Sequence, residues 1–155
     1  MPSTTSSPNA TATDSKVRTA FRYVLAAAMV FAGVSHFTQP ATFVAMVPPS
    51  LPAPLALVYI SGVAEIAGGI GLLIPQLRQA ASLGLIALYI AVFPANIYMA
   101  LNHISFGDTK PPTWALWARL PLQLVFIAWA YWVGKPSGPR DRLGASSGGP
   151  DGNQV

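Results

Sequence analysis

Cysteine is absent from this chain of 155 residues. That excludes disulfides, thiol redox chemistry, thiolate metal sites and a cysteine nucleophile. Charge is nearly as scarce: charged residues make up 9% of the chain, against about 25% in ordinary soluble domains. A soluble fold of this size needs a charged surface, and this sequence cannot supply one. The 2 histidines lack the close spacing of a metal site, so no metal is expected. No phosphate-binding loop, Ser/His/Asp set or haem motif is present. The net charge is +4, but no basic patch interleaved with aromatics accompanies it, so nucleic acid is not an expected partner. Hydrophobic residues, by contrast, reach 52%.

The apolar residues fall into four runs, about Thr19–Phe37, Pro54–Ile74, Gln79–Leu101 and Trp114–Val133. Each is roughly 19–23 residues long, and a helix needs about 20 to cross a hydrocarbon core of ~30 Å. Backbone groups in lipid are satisfied only in helices or closed barrels, and continuous apolar runs exclude a barrel's alternation. The predicted fold is an all-α integral membrane protein, a bundle of four transmembrane helices over residues 18–133. Residues 1–17 and 134–155 are rich in Ser, Thr, Gly and Pro and are expected to be tails without a fold. The first apolar run starts too late, and lacks the cleavage pattern, for a signal peptide. Asn9-Ala10-Thr11 fits a glycosylation sequon that chance explains in a Ser/Thr-rich tail. "TQPATFVAMVPPSLPAP" is a proline-rich loop with a short re-entrant or interfacial piece around Phe43 to Val47. "PQLR" is a tight turn, and "NHISFGDTKPP" a polar loop.

Lys and Arg set the orientation. Lys16, Arg18, Arg22, Arg78, Lys135, Arg140 and Arg142 flank one end of the runs, and only Lys110 the other. Both termini are therefore expected on the cytoplasmic side of the cell membrane. Trp114 and Trp117 would mark the outer interface, and Trp129, Tyr131 and Trp132 the inner one.

Two ionisable residues fall inside the runs, Glu65 and Arg119. Each costs at least ~2.5–3.5 kcal/mol at mid-membrane, so such residues face the protein interior and pair. At 1.5 Å per residue they lie about 16 Å and 8 Å below the outer helix ends, within reach of one another through the long arginine side chain. A Glu65–Arg119 pair is expected. The neighbours of Glu65 one turn away are Ser61, Gly62, Gly68 and Gly69. This small stripe allows close helix packing and turns Glu65 inward. Ile60, Val63, Ile66, Ile70 and Leu73 form the opposite, lipid-suited stripe. Asn96 shares a face with Tyr89 and His103. Pro94 and Pro121 should kink their helices and release carbonyls. With His36 at the end of the first run and Gln123 one turn below Arg119, these residues suggest a polar pocket in the outer half of the bundle: Glu65, Arg119, Asn96, Gln123, His36 and His103. A purely structural polar set that fixes helix register is the competing reading.

"GVSHFTQPATFVAMVPPSLP", "SGVAEIAGGIGLL", "FPANIYMA" and "RLPLQ", in this order on four spans, resemble the DoxX-like family of small four-helix membrane proteins over about residues 20–133. The resemblance implies the four-helix fold and an association with membrane oxidoreductase assemblies. It implies no catalytic role for His36, Glu65, Asn96, Arg119 or Gln123.

The expectation that follows is a small membrane subunit or binding module, not an autonomous enzyme. It would hold a quinone-like or lipid-like ligand, or a partner protein, in its outer-half pocket. The bilayer is its first partner, a membrane or periplasmic-side protein a second, and homo-oligomerisation stays open. The alternative is a small proton-coupled transporter or exporter that uses Glu65.

Overall fold

The computed structural model describes residues 8–105 and 110–135, with side chains from Lys16 onward. The expected C-terminal tail, with Arg140 and Arg142, and loop residues 106–109 lie outside the described residues, as do residues 1–7 and the side chain of Asn9. The helices are α1 (Pro8–Thr38), α2 (Pro40–Val44), α3 (Pro54–Leu73), α4 (Arg78–Asn102) and α5 (Thr113–Gly134). Helix α1 begins inside the stretch read as a tail. Pro8 stands at its start, where a missing N–H costs nothing. Four helices are long and apolar enough to span a membrane: Lys16–Thr38 of α1, and α3, α4 and α5.

The spanning helices pack in the order α1, α3, α4, α5, and a shorter α1–α5 contact closes the ring. Glycine makes a tight seam between α1 and α3. A Cβ on Gly33 of α1 would stand 2.6 Å from the Gly62 carbonyl oxygen, and one on Gly69 2.8 Å from the Ala26 carbonyl oxygen. These α1 and α3 backbones approach as closely as small-residue membrane interfaces permit. Gly68 faces α4 instead, against Leu85.

Buried apolar residues gather in the half of the bundle near the α1 N-terminus: Leu25, Met29, Leu72, Leu85, Tyr89, Ala130 and Val133. Phe21 packs edge-on against Trp129 and Trp132, at centroid distances of 5.8 and 5.6 Å. These two tryptophans therefore join α1 to α5 as well as standing near a helix end. The basic residues at this end also satisfy helix termini. Arg22 Nε donates to the Val133 carbonyl (3.1 Å) near the end of α5. Arg78 Nε donates to the Leu72 carbonyl (3.4 Å) at the end of α3. Both place positive charge where last-turn carbonyls lack intrahelical donors.

The outer surface is apolar. Phe31 (77% exposed), Ile60, Ile90, Leu101 and Leu124 all point outward. Large exposed apolar side chains on every spanning helix fit hydrocarbon as the surrounding solvent. This is a multi-pass membrane protein.

Candidate functional site

The other half of the bundle is hollow. Helices α3 and α5 do not form a packed pair there. A cavity of about 560 Å³ lies among α3, α4 and α5, with His36 reaching in from α1. Phe43, Met46, Val47 and Leu51, from α2 and the loop after it, line its end. Met46 is buried with Met99, Ala100 and Leu116, which holds this cover on α4 and α5. The short α2 follows from the sequence: Pro40 starts it, and Pro48 and Pro49 forbid a long continuation. Some lining residues, Ile60, Ala91 and Leu122, are exposed on the outer surface. The cavity thus reaches the apolar face of the bundle.

Of the six polar residues expected to converge, His36, Glu65, Asn96, Arg119 and Gln123 line this cavity. His103 does not. It is the exposed C-cap of α4, in a left-handed conformation (φ 51°), and stops the helix. A sequence register that continues α4 through position 103 puts it on the Asn96 face, but the chain turns there.

The position of Glu65 follows from the glycines around it. Gly62 and Gly69 dock on α1 and Gly68 on α4, so the side chain between them enters the bundle. Its ion-pair contact is with His36, not Arg119: His36 Nε2 is 3.6 Å from Glu65 Oε2. Helix α1 is the direct neighbour of α3, whereas α5 lies across the cavity. Oε2 is buried and accepts no hydrogen bond. Arg119 Nη1 instead contacts Met99 Sδ at 3.7 Å.

The imidazole is fixed from behind. His36 Nδ1 is 3.0 Å from the Val58 carbonyl oxygen and 3.0 Å from Ser61 Oγ. Ser61 Oγ itself donates to Val58 O (2.9 Å). A carbonyl only accepts, and the serine proton is already committed, so Nδ1 carries the ring hydrogen. The Phe43 ring packs over the imidazole, with centroids 4.0 Å apart.

The opposite wall is a chain of amides. Asn96 Nδ2 donates to Gln123 Oε1 (2.8 Å), and Gln123 Nε2 donates to the Tyr89 carbonyl. Pro94 takes away the amide hydrogen that the Ile90 carbonyl would receive, and the adjoining Tyr89 carbonyl turns to Gln123. Both α4 and α5 continue through their prolines. Below, Tyr89 Oη donates to Met29 Sδ (3.0 Å) and closes the floor. Among the described residues, no three His, Asp or Glu side chains converge on a metal position.

Ser61 and the Val58 carbonyl are the parts that sequence reasoning missed. A backbone carbonyl leaves no trace in a sequence. Ser61 was visible only as a member of the small stripe.

Fold and cavity together define a class, a four-span membrane helix bundle with an internal apolar cavity and a polar wall. Within that class, residues 25–134 match the family described as Domain of unknown function (DUF8561), and the chain belongs to it. No curated protein and no solved structure matches the chain.

Proposed function

We propose that this protein is a small membrane binding module of the cell membrane, of DoxX-like type, that holds a quinone-like or lipid-like molecule between α3, α4 and α5. One observation carries the reading: a cavity of about 560 Å³, apolar along most of its wall and polar at Glu65, Asn96 and Arg119. This is the size and polarity of a small-molecule site, for which about 300–1,000 Å³ is usual. Its apolar lining continues to the outer surface at Ile60 and Leu122. That supports entry of an amphiphile from the bilayer, with its head inside and its tail in lipid. In this reading the protein serves as an accessory subunit, and presents its ligand to a membrane or periplasmic-side oxidoreductase partner.

Native mass spectrometry of the protein in nanodiscs tests the proposal. A small apolar molecule should remain bound to the wild type. It should be lost in Ala95→Phe, which fills the cavity from α4, while the helix content by circular dichroism stays that of the wild type. A wild type without any bound molecule, which takes up none on addition of quinones or lipids, overturns the reading.

The His36–Glu65 contact favours a second reading, a proton-coupled transporter. Uptake or efflux driven by a pH gradient in proteoliposomes, and abolished in Glu65→Gln, would support it over the first.

A further inference from the structure

The hydrogen bonds behind His36 determine what Glu65 can offer a ligand. Nδ1 carries the ring hydrogen, because Val58 O can only accept and Ser61 Oγ gives its own hydrogen to that same carbonyl. Nε2 then faces Glu65 Oε2 at 3.6 Å. Without a further proton, a lone pair would oppose a carboxylate in apolar surroundings. One proton, on Nε2 or on Oε2, removes that conflict. In the first state Glu65 is a carboxylate and both oxygens accept. In the second, Oε2 carries the hydrogen toward His36 and Oε1 is a carbonyl oxygen, which again accepts. Oε2 is the buried, unpartnered oxygen, so the carboxyl meets the cavity it lines through Oε1. That atom is an acceptor wherever the proton sits.

We infer that the cavity takes an uncharged apolar molecule whose head carries a hydroxyl, and that this hydroxyl donates to Glu65 Oε1. The inference rests on the binding-module reading and names the chemical class of its ligand. Other head groups fit less well. A phosphate head would place its oxygens against an acceptor. An ammonium head would share the cavity with the Arg119 guanidinium. A quinone has carbonyl acceptors only, whereas its quinol has hydroxyls. The amide wall adds little choice at Gln123, whose oxygen accepts from Asn96 and whose nitrogen donates to Tyr89 O. Asn96 lines the cavity on that side, and its amide nitrogen carries a second hydrogen beyond the one given to Gln123, so a second oxygen on the ligand would be accommodated there.

Two probes of nearly equal shape isolate the donor: 4-decylphenol and its methyl ether. With the full chain in nanodiscs, native mass spectrometry titrations should give about tenfold tighter binding of the phenol, the scale of one well-made hydrogen bond. Glu65→Leu should reduce that gap to less than about twofold. Infrared difference spectra give a readout that does not depend on this variant folding. The phenol, and not the ether, should shift a carboxyl stretching band of the wild type, and the shift should vanish in Glu65→Gln. A decyl benzoquinol and a monoacylglycerol then separate the sources of the hydroxyl, and the tighter binder names the class. Equal binding of phenol and ether, or a carboxyl band that does not move, overturns the inference and leaves the binding module standing. A chain that binds none of these probes, and carries no molecule of its own, overturns both.

Discussion

Nε2 of His36 and Oε2 of Glu65 stand 3.6 Å apart and join α1 to α3 at the wall of the cavity. The contact is longer than a hydrogen bond, so its strength depends on the proton between the two groups. The rest of the arrangement is rigid. Nδ1 is held by Val58 O and Ser61 Oγ, Phe43 covers the ring, and the Gly33–Gly62 approach brings α1 against α3. The acid therefore has a defined neighbour in His36, and it also lines the cavity.

Glu65→Ala should lower the melting temperature further than Glu65→Gln. The glutamine amide can donate to His36 Nε2 and keep the pair satisfied. Alanine removes that partner from the imidazole Nε2 and leaves a void beside it, at a cost of about 1–3 kcal/mol. Thermal melts of both variants in one lipid composition make the comparison. Indistinguishable midpoints would show that His36 gains nothing from Glu65.

How much of this could be read beforehand follows from the same pair. Four runs near the bilayer length, separated by proline-rich or polar connections, made the helices legible, because a backbone in lipid has few alternatives. The inward turn of Glu65 was legible too, from Gly62, Gly68 and Gly69. Its partner was not. Depth along the helix axis allowed Arg119, but depth says nothing about which helices are neighbours. Arg119 is on α5, across the cavity, while His36 is on the adjoining α1. The usable clue was Gly33: small residues on α1 as well as α3 point to a close α1–α3 seam, which brings His36 opposite Ser61 and Glu65. The cover of Phe43 and Met46 was hinted at by the short segment between the prolines, but its seat on Met99 and Leu116 depends on long-range packing.

The seam makes its own prediction. An alanine Cβ at position 33 would lie 2.6 Å from the backbone oxygen of Gly62, and backbone cannot rotate away. Gly33→Ala should force α1 from α3 and cost about 1–3 kcal/mol, as overpacking does. At Gly84, an added methyl group would meet nothing within 4 Å, and Gly84→Ala should stabilise α4 by roughly 0.5–1 kcal/mol. Opposite signs in denaturation midpoints are the expected result. A destabilised Gly84→Ala would point to a neighbour, such as a second copy, on that face.

The amide wall should behave as a unit. Gln123 is buried and links Asn96 to the Tyr89 carbonyl. Asn96→Leu and Gln123→Leu each break the Asn96–Gln123 bond, so the double variant should cost less than the sum of the two. A coupling of about 0.6 kcal/mol, the average for hydrogen bonds between membrane helices, and no more than about 1.7 is expected. A double-mutant cycle on unfolding free energies measures it, and strict additivity would mean that the bond contributes nothing.

Orientation is the last quantity the chain makes easy to test, because it holds no cysteine and needs no background removed. Lys16, Arg18, Arg22, Arg78 and Lys135 lie at one end of the bundle, and Lys110 follows α4 at the other. The positive-inside rule predicts the first group on the cytoplasmic side. Lys110→Cys should react with a membrane-impermeant thiol reagent in intact cells. Lys16→Cys and Lys135→Cys should react only after permeabilisation. This outcome would open the His36 half of the bundle toward the outside, so that a ligand head at Glu65 would sit in the outer leaflet, within reach of a periplasmic-side partner. The reverse labelling pattern would turn the cavity toward the cytoplasm, and the partner would then have to be sought there.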